Sequence, residues 1–410
     1  MREKVKEYIL KNWHKTIKVN TKDKGDLIGL PKPYTIPCVS NMFQEMYYWD
    51  TYFTNVGLIC SGNVEQAENN AQNMFSLIER FGKMPNGNRT HYLNRSQPPF
   101  LSQMVREIFD KTGDTEWLKN DAYPALSKEY LFWTRERTDK NGLAHYGGTF
   151  ADSSAEEGFC NYFCERAGVE KPQDTSLCKE YSYSCVALCE SGWDFTSRFL
   201  FDAHISSAID LNSLLWLLES NMSYFAKTLS KPDDEKIWSD RAEKRKNIIN
   251  ELLWNKEREF FCDLNSESKV QNKLYSVAAF YPMFAGFATK EQADKTVAKL
   301  PLIECEFGVA SCEDNGNLHN LQWDHPHGWA CLHYIIIQAL LKYGYKDEAL
   351  RIAEKYVNTV AKNFETTNNL WEKYNVVTGT VSVTSEYDTP PMMGWSAGIY
   401  LFCLELIKLK

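Results

Sequence analysis

The sequence predicts an all-α fold, a toroid of paired helices built as a single domain over residues 1–410. Three observations carry this. Apolar residues recur at spacings of three and four over long stretches. Short polar or aromatic segments separate those stretches. No linker rich in Pro, Gly or Ser divides the chain.

Taken in chain order, the first informative segments are loops. Pro85 to Phe100 and Ala187 to Arg198 are long, polar and aromatic, and loops of that length in a compact domain are usually functional. A helix follows: Leu211, Leu214, Leu215, Leu218, Met222, Phe225 and Leu229 mark one face. Ile248, Ile249, Leu252 and Leu253 mark another. Trp254-Asn255 and Phe260-Phe261 then read as a small hairpin. Trp329, Leu332, Ile335, Ile336, Leu340 and Leu341 form the next apolar stripe, and Ala349, Ile352, Ala353 and Val357 the one after it. Trp371 to Tyr374 and Gly379 to Val381 read as a helix end followed by a second hairpin.

Composition narrows the partners. The net charge of -8 argues against nucleic acid, which needs a basic surface. Aromatics make up 14% of the chain, and flat rings suit the C–H faces of sugars, although large cores also use them. No run approaches the roughly 18 apolar residues of a membrane span. Met1 to Lys18 is charged and lacks an apolar stretch, so no secretory signal is read and a cytoplasmic location is expected. The 12 cysteines include Cys160 and Cys164, Cys185 and Cys189, with Cys178 between. No C-x-x-C knuckle is present, so neither a metal nor another cofactor is expected, and a cytoplasmic chain keeps its thiols reduced.

Breaking a glycosidic bond takes one carboxylic acid as proton donor and a second carboxylate that activates water or attacks the sugar. Asp194 stands out, between Trp193 and Phe195 and two residues after Gly192, where a missing side chain lets the backbone approach a ligand. Partial desolvation beside aromatics raises a carboxyl's pKa and suits it to donate a proton. The other reading is a helix N-cap with Arg198 as local partner. Glu386 lies in a loop before Pro390-Pro391 and is either an anchor or a base, with Asp388 as its competitor. Asp50 and Asp324 each follow a Trp, as Asp194 does. They are read as acceptors of sugar hydroxyls or as caps of the following helix. Asn86, Asn88, Arg89, Arg95 and Gln97 supply amides and guanidiniums that either bind hydroxyls or satisfy their own loop.

These segments resemble the trehalase family of glycoside hydrolases. Phe43 to Tyr52 matches the second half of its first signature, P-G-G-R-F-x-E-x-Y-x-W-D-x-Y, and Gln322 to Trp329 matches Q-W-D-x-P-x-G-W. Pro85 to Arg89, Arg95 to Phe100 and Glu190 to Phe195 match further family pieces in the family's order. The resemblance implies an (α/α)6 toroid and a cofactor-free, inverting α-glucosidase acting on trehalose or a related α-linked glucoside. It implies Asp194 as general acid and Glu386 as general base. Phe43, Tyr47, Trp49, Asp50, Asn86, Arg95, Gln97, Gly192, Trp323, Asp324 and Trp395 are the implied substrate contacts. Other α-linked sugars or glucosyl-polyols, and a non-catalytic sugar-binding protein, are the alternatives.

Two departures bear on the substrate. The family's Gly-Gly-Arg before Phe43 is Ser40-Asn41-Met42, and no Arg-Pro-Arg-Glu segment is evident near Gly147 to Phe150. Two arginines that enclose the leaving sugar are thus missing from their family positions. The sequence therefore predicts an altered second-sugar pocket and a best substrate other than trehalose. His325, His327 and the loop from Gly147 to Glu157 are the expected compensating elements.

Overall fold

A computed structural model describes residues 1–410 except Asn317, Val383, Ser385, Glu386 and Lys410. Helices dominate it. They run α1 (Arg2–Asn12), α2 (Tyr48–Cys60), α3 (Val64–Phe81), α4 (Leu101–Thr112), α5 (Thr115–Trp117), α6 (Tyr123–Glu136), α7 (Ser153–Ala167) and α8 (Thr175–Ser191). Then follow α9 (Ile209–Thr228), α10 (Pro232–Leu252), α11 (Tyr281–Ala285), α12 (Lys290–Ala298), α13 (Ala330–Lys342), α14 (Lys346–Thr367) and α15 (Gly394–Lys408).

The helices form the two layers of the expected (α/α)6 toroid. Helices α2, α9, α13 and α15 bury residues on nearly every side and make the inner layer. Helices α3, α10 and α14 bury one stripe and show charge on the other, as outer helices do. Successive helices pack in pairs, α2 on α3, α9 on α10 and α13 on α14, and α15 packs on α2 to close the ring. Glycine makes that closure possible. A side chain on Gly57 would collide with the Gly398 backbone, and one on Gly398 with the carbonyl of Phe53, so the two helices cross backbone to backbone.

The helical faces read from the sequence lie where expected, with two differences. Helix α10 starts well before Ile248, because its early turns are mostly charged and carry little apolar signal. Helix α13 is buried all round rather than along one stripe, and Trp329 precedes it in a strand.

Both predicted hairpins form, Trp254–Asn255 with Phe260–Phe261 and Lys373–Asn375 with Thr380–Val381. The second gains an unpredicted third strand, His327–Trp329, whose register sets Trp329 beside Lys373. The predicted loop from Ala187 is shorter than expected: α8 continues to Ser191, and Gly192 terminates it at φ +72°.

The cysteine expectation is corrected. Cys160 on α7 and Cys178 on α8 form a disulfide, with Cα atoms 5.6 Å apart, so two of the thiols are not reduced. The two helices pack side by side, which brings together cysteines that spacing alone does not pair. Among the described residues, no helix is long and apolar enough to cross a membrane.

Candidate active site

Loops from the helix ends converge on a cavity of about 710 Å³. Its base is a cluster of indoles. Trp323 stacks flat on Trp329 with centroids 3.8 Å apart, and Trp49 and Trp395 meet Trp323 at 5.5 and 6.4 Å. Tyr47, Tyr92, Tyr162 and Tyr387 supply further aromatic wall.

Each polar residue is placed by an identifiable device. Trp49 and Asp50 occupy the first turn of α2, for which Tyr47 is the N-cap residue. The Trp49 amide, one of the orphan donors of that helix start, donates to Gln97 Oε1 at 3.2 Å. Asn86 exchanges backbone bonds with Tyr48 and Arg95, so the 85–100 loop is stitched to α2. Glu190, fully buried, accepts from the amides of Ser96 and Gly147 at 2.7 Å each and from Arg137 at 2.8 Å. That carboxylate therefore ties three segments together behind the cavity.

Gly192 combines two requirements. Its backbone is left-handed, and a side chain would sit 2.7 Å from the Trp49 ring. This turn presents Asp194 to the cavity. The carbonyl of Asp194 accepts from Gln322 Nε2 at 2.7 Å, and Trp323 N donates to Phe195 O at 3.1 Å. The second signature segment thus holds the acid segment by its backbone. The alternative reading of Asp194 does not apply, because Arg198 pairs with Asp210 and Asp263 instead.

Three carboxyls share the cavity: Asp50, Asp194 and Glu372. Burial raises the Asp194 pKa to about 6, opposed by its own backbone N–H and by the charges of Arg95 and Arg166. Burial, then the charge of Glu372, raises Asp50 to about 8. Both carboxyls therefore hold protons far above the ordinary range, which is the state a proton donor needs. Glu372 has different surroundings. It is buried, and it accepts from Lys373 Nζ at 2.6 Å and from the Tyr387 hydroxyl at 2.9 and 3.0 Å.

The structure brings Phe43, Tyr47, Trp49, Asp50, Asn86, Arg95, Gln97, Gly192, Asp194, Trp323 and Trp395 to this one cavity. Asp324 is not among its lining residues. It is buried and accepts from the Thr196 hydroxyl at 2.9 Å, the Ser197 amide at 3.0 Å and Asn315 Nδ2 at 3.2 Å, bracing the turn that follows Asp194. Asn88 and Arg89 serve their own surroundings: Asn88 bonds Met46 and Ile28, and Arg89 pairs with Asp26 and Glu45. Glu386 lies outside the described residues.

Sequence reasoning missed Glu372, Arg166 and Tyr387. A signal for Glu372 existed: Trp371-Glu372 repeats the Trp-acid pattern of Trp49-Asp50 and Trp193-Asp194. Arg166 belongs to α7, which faces the cavity through Ala155, Gly158, Phe159, Tyr162 and Arg166, a helical spacing along one stripe. Of the expected compensating elements, His325 and His327 do not line the cavity, and the Gly147 to Glu157 loop touches it through Ala155. His327 bonds Ser382 at 2.9 Å instead.

Comparison with known proteins agrees with this geometry. The trehalase family model matches residues 1–408. A periplasmic trehalase of Xanthomonas axonopodis pv. citri is 31% identical over 431 residues, covering 98% of this chain and 73% of its own. A periplasmic trehalase of Escherichia coli O1:K1 is 30% identical, covering 95% and 71%. Among solved structures, neutral trehalase Nth1 from Saccharomyces cerevisiae superposes with a TM-score of 0.78 at 30% identity, covering 91% of this chain and 73% of that one. A mannosylglycerate hydrolase from Thermus thermophilus shares the fold at 16% identity and a TM-score of 0.65, covering 98% of this chain and 99% of that one. The expected cytoplasmic location is overturned by the bacterial trehalases, which are named periplasmic. The chain belongs to the trehalase family and is a glycoside hydrolase.

Proposed function

We propose that this trehalase-family enzyme hydrolyses trehalose with inversion, Asp194 acting as general acid and a second carboxylate, Glu386 or Glu372, as general base. The observation that carries the reading is the buried carboxyl of Asp194 in the indole-lined cavity, held protonated to a pKa of about 6. A protonated carboxyl beside the scissile bond, paired with a second carboxylate that activates water, is the division of labour that inverting hydrolysis requires. Glu372 lines the same cavity wall, where it accepts from Lys373 and from the Tyr387 hydroxyl.

The sequence of events follows. The indole cluster packs on the sugar faces, and Asp50, Asn86 and Gln97 meet hydroxyls of the first glucose. Asp194 gives its proton to the bridging oxygen as the bond to the anomeric carbon lengthens. The second carboxylate takes a proton from a water attacking the opposite face. The two carboxyls then stand roughly 6.5–9.5 Å apart, leaving room for that water.

Arg166 supports trehalose as the substrate. The sequence-based expectation of a different best substrate rested on two missing arginines. Beyond Arg95, itself one of the implied contacts, α7 brings a further guanidinium, Arg166, to the cavity, and both act on Asp194. A hydrogen bond to a charged group contributes about 1.5–3 kcal/mol, which offsets one of the two missing positions. The periplasmic relatives also support an oxidising setting, which the Cys160–Cys178 disulfide fits.

Paired substitutions, Glu386→Gln and Glu372→Gln, identify the base. The one that removes it lowers kcat by about 10²-fold or more with the fold intact. Azide then rescues turnover of α-glucosyl fluoride in that variant, giving the β-glucosyl azide. Rescue in Glu386→Gln assigns the base to Glu386, and rescue in Glu372→Gln assigns it to Glu372. Rescue in neither variant contradicts the reading.

A further inference from the structure

The cavity has a closed end and an open one. Trp49, Asp50, Trp323 and Trp395, at the closed end, are 2, 8, 3 and 4% exposed. At the open end Tyr162 is 40% exposed and Met42 37%. Asp194 feels groups of both: the charges of Arg95 and Arg166, and that of buried Glu372, which also acts on Asp50. A bond protonated by Asp194 has one sugar on either side. The sugar that water attacks takes the shielded end, and the sugar that departs takes the open one.

Helix α7 builds one wall of that open end. Ala155, Gly158, Phe159, Tyr162 and Arg166 face it, three and four residues apart along a single stripe. Three contacts fix the helix. Asp152 caps it through the Ala155 amide at 2.8 Å, and the Cys160–Cys178 disulfide ties it to α8. Tyr162 and Phe163 meet Phe195, the residue after the acid, edge-on at 5.8 and 6.2 Å. Arg166 lies across the same contact, its guanidinium carbon 5.5 Å from the centre of the Tyr162 ring and 5.7 Å from that of Phe195. Two rings thus orient the guanidinium before a ligand arrives, so less freedom is lost on binding. Met42 stands where one of the family's arginines is missing, and its side chain brings no hydrogen-bond donor to the cavity.

We propose that α7 forms the subsite for the leaving glucose, with Arg166 as its specificity-determining residue: the guanidinium fork donates to two neighbouring hydroxyls of that sugar, while Phe159 and Tyr162 cover its C–H face. Vicinal hydroxyls of a pyranose present two acceptors side by side, which a planar fork of N–H groups matches and a single ammonium does not. The inference rests on the assignment of Asp194 as general acid, which sets the leaving sugar beside α7.

Binding is measured apart from chemistry in the whole chain carrying Asp194→Asn, on which trehalose stays intact. Affinities for trehalose and for methyl α-glucoside, which keeps the first sugar and lacks the second, are read by calorimetry with and without Arg166→Gln. Trehalose binding weakens by about 10- to 10²-fold in Arg166→Gln, the size of a lost charged hydrogen bond, while methyl α-glucoside binding stays within about twofold. Arg166→Lys keeps the charge and loses the fork, so it gives a smaller loss, again on trehalose alone. Equal loss on both ligands overturns the proposal, because an arginine that only braced the helix or the acid segment would affect both. So does trehalose binding no tighter than methyl α-glucoside in Asp194→Asn itself. If Arg166→Gln does not fold, the same comparison in Arg166→Lys decides. Wild-type turnover of trehalose in Asp194→Asn would instead remove the assignment of the acid, whatever the arginine variants do.

Discussion

Asp194 makes the most direct link between one residue's surroundings and a measurable rate. A general acid works while protonated, so kcat/KM falls as pH rises through about 6, the value to which burial lifts this carboxyl. Asp194→Asn removes the donor, lowering turnover of trehalose by about 10²-fold or more, and with it that alkaline limb. A substrate with a good leaving group needs less protonation, so an activated aryl α-glucoside recovers part of the loss. A limb that persists unchanged in Asp194→Asn would assign the titration to another group, with Asp50 first in line. Stability carries the same sign. A carboxyl whose folded pKa lies above its unfolded value stabilises the fold at low pH and loses that contribution as pH rises through about 6.

Asp194 was legible in the sequence because its aromatic neighbours are local. Asp324 shows the limit of the same pattern: a Trp-Asp pair does not say whether the carboxyl faces the cavity or, as here, a neighbouring turn. Glu372 was read as part of a helix end before a hairpin, because its place in the cavity wall depends on distant segments such as the one carrying Tyr387.

Among the elements, α7 and α8 combine structure with specificity. Helix α7 carries Phe159, Tyr162 and Arg166 into the cavity, and α8 ends at the turn that presents Asp194. Their disulfide spans 18 residues, and closing a loop of that length stabilises by about 3 kcal/mol in the chain-entropy account. Replacing Cys160 and Cys178 by Ser lowers stability by about that amount in denaturant titrations. Because α7 forms a wall rather than the catalytic pair, KM for trehalose rises more than kcat falls. An unchanged KM in the folded double variant would remove α7 from substrate binding. Outer helices such as α14 were legible because one buried stripe alternates with solvent. The inner helix α15 is buried along most of its length, and no period was read there. The third strand, His327–Trp329, pairs with residues far along the chain, a partner that local pattern cannot name.

At the scale of the whole molecule, the toroid explains why the site residues are scattered from Phe43 to Trp395 yet meet in one place. Helix pairs deliver their connecting loops to a common cavity, and the Gly57 and Gly398 crossing seals the first inner helix against the last. The fold class was legible from periodicity and the family from motif order. Location was not: the expectation drawn from the sequence was cytoplasmic, and the bacterial trehalases it matches are named periplasmic. The central claim, one protonated and one ionised carboxyl acting across a water, has a stereochemical consequence independent of any substitution. Proton NMR of trehalose hydrolysis, recorded before mutarotation, reads it directly. Inversion releases α- and β-glucose in equal amounts, the β anomer from the attacked sugar and the α anomer from the leaving one. Release of α-glucose alone would mean retention, and would contradict the account.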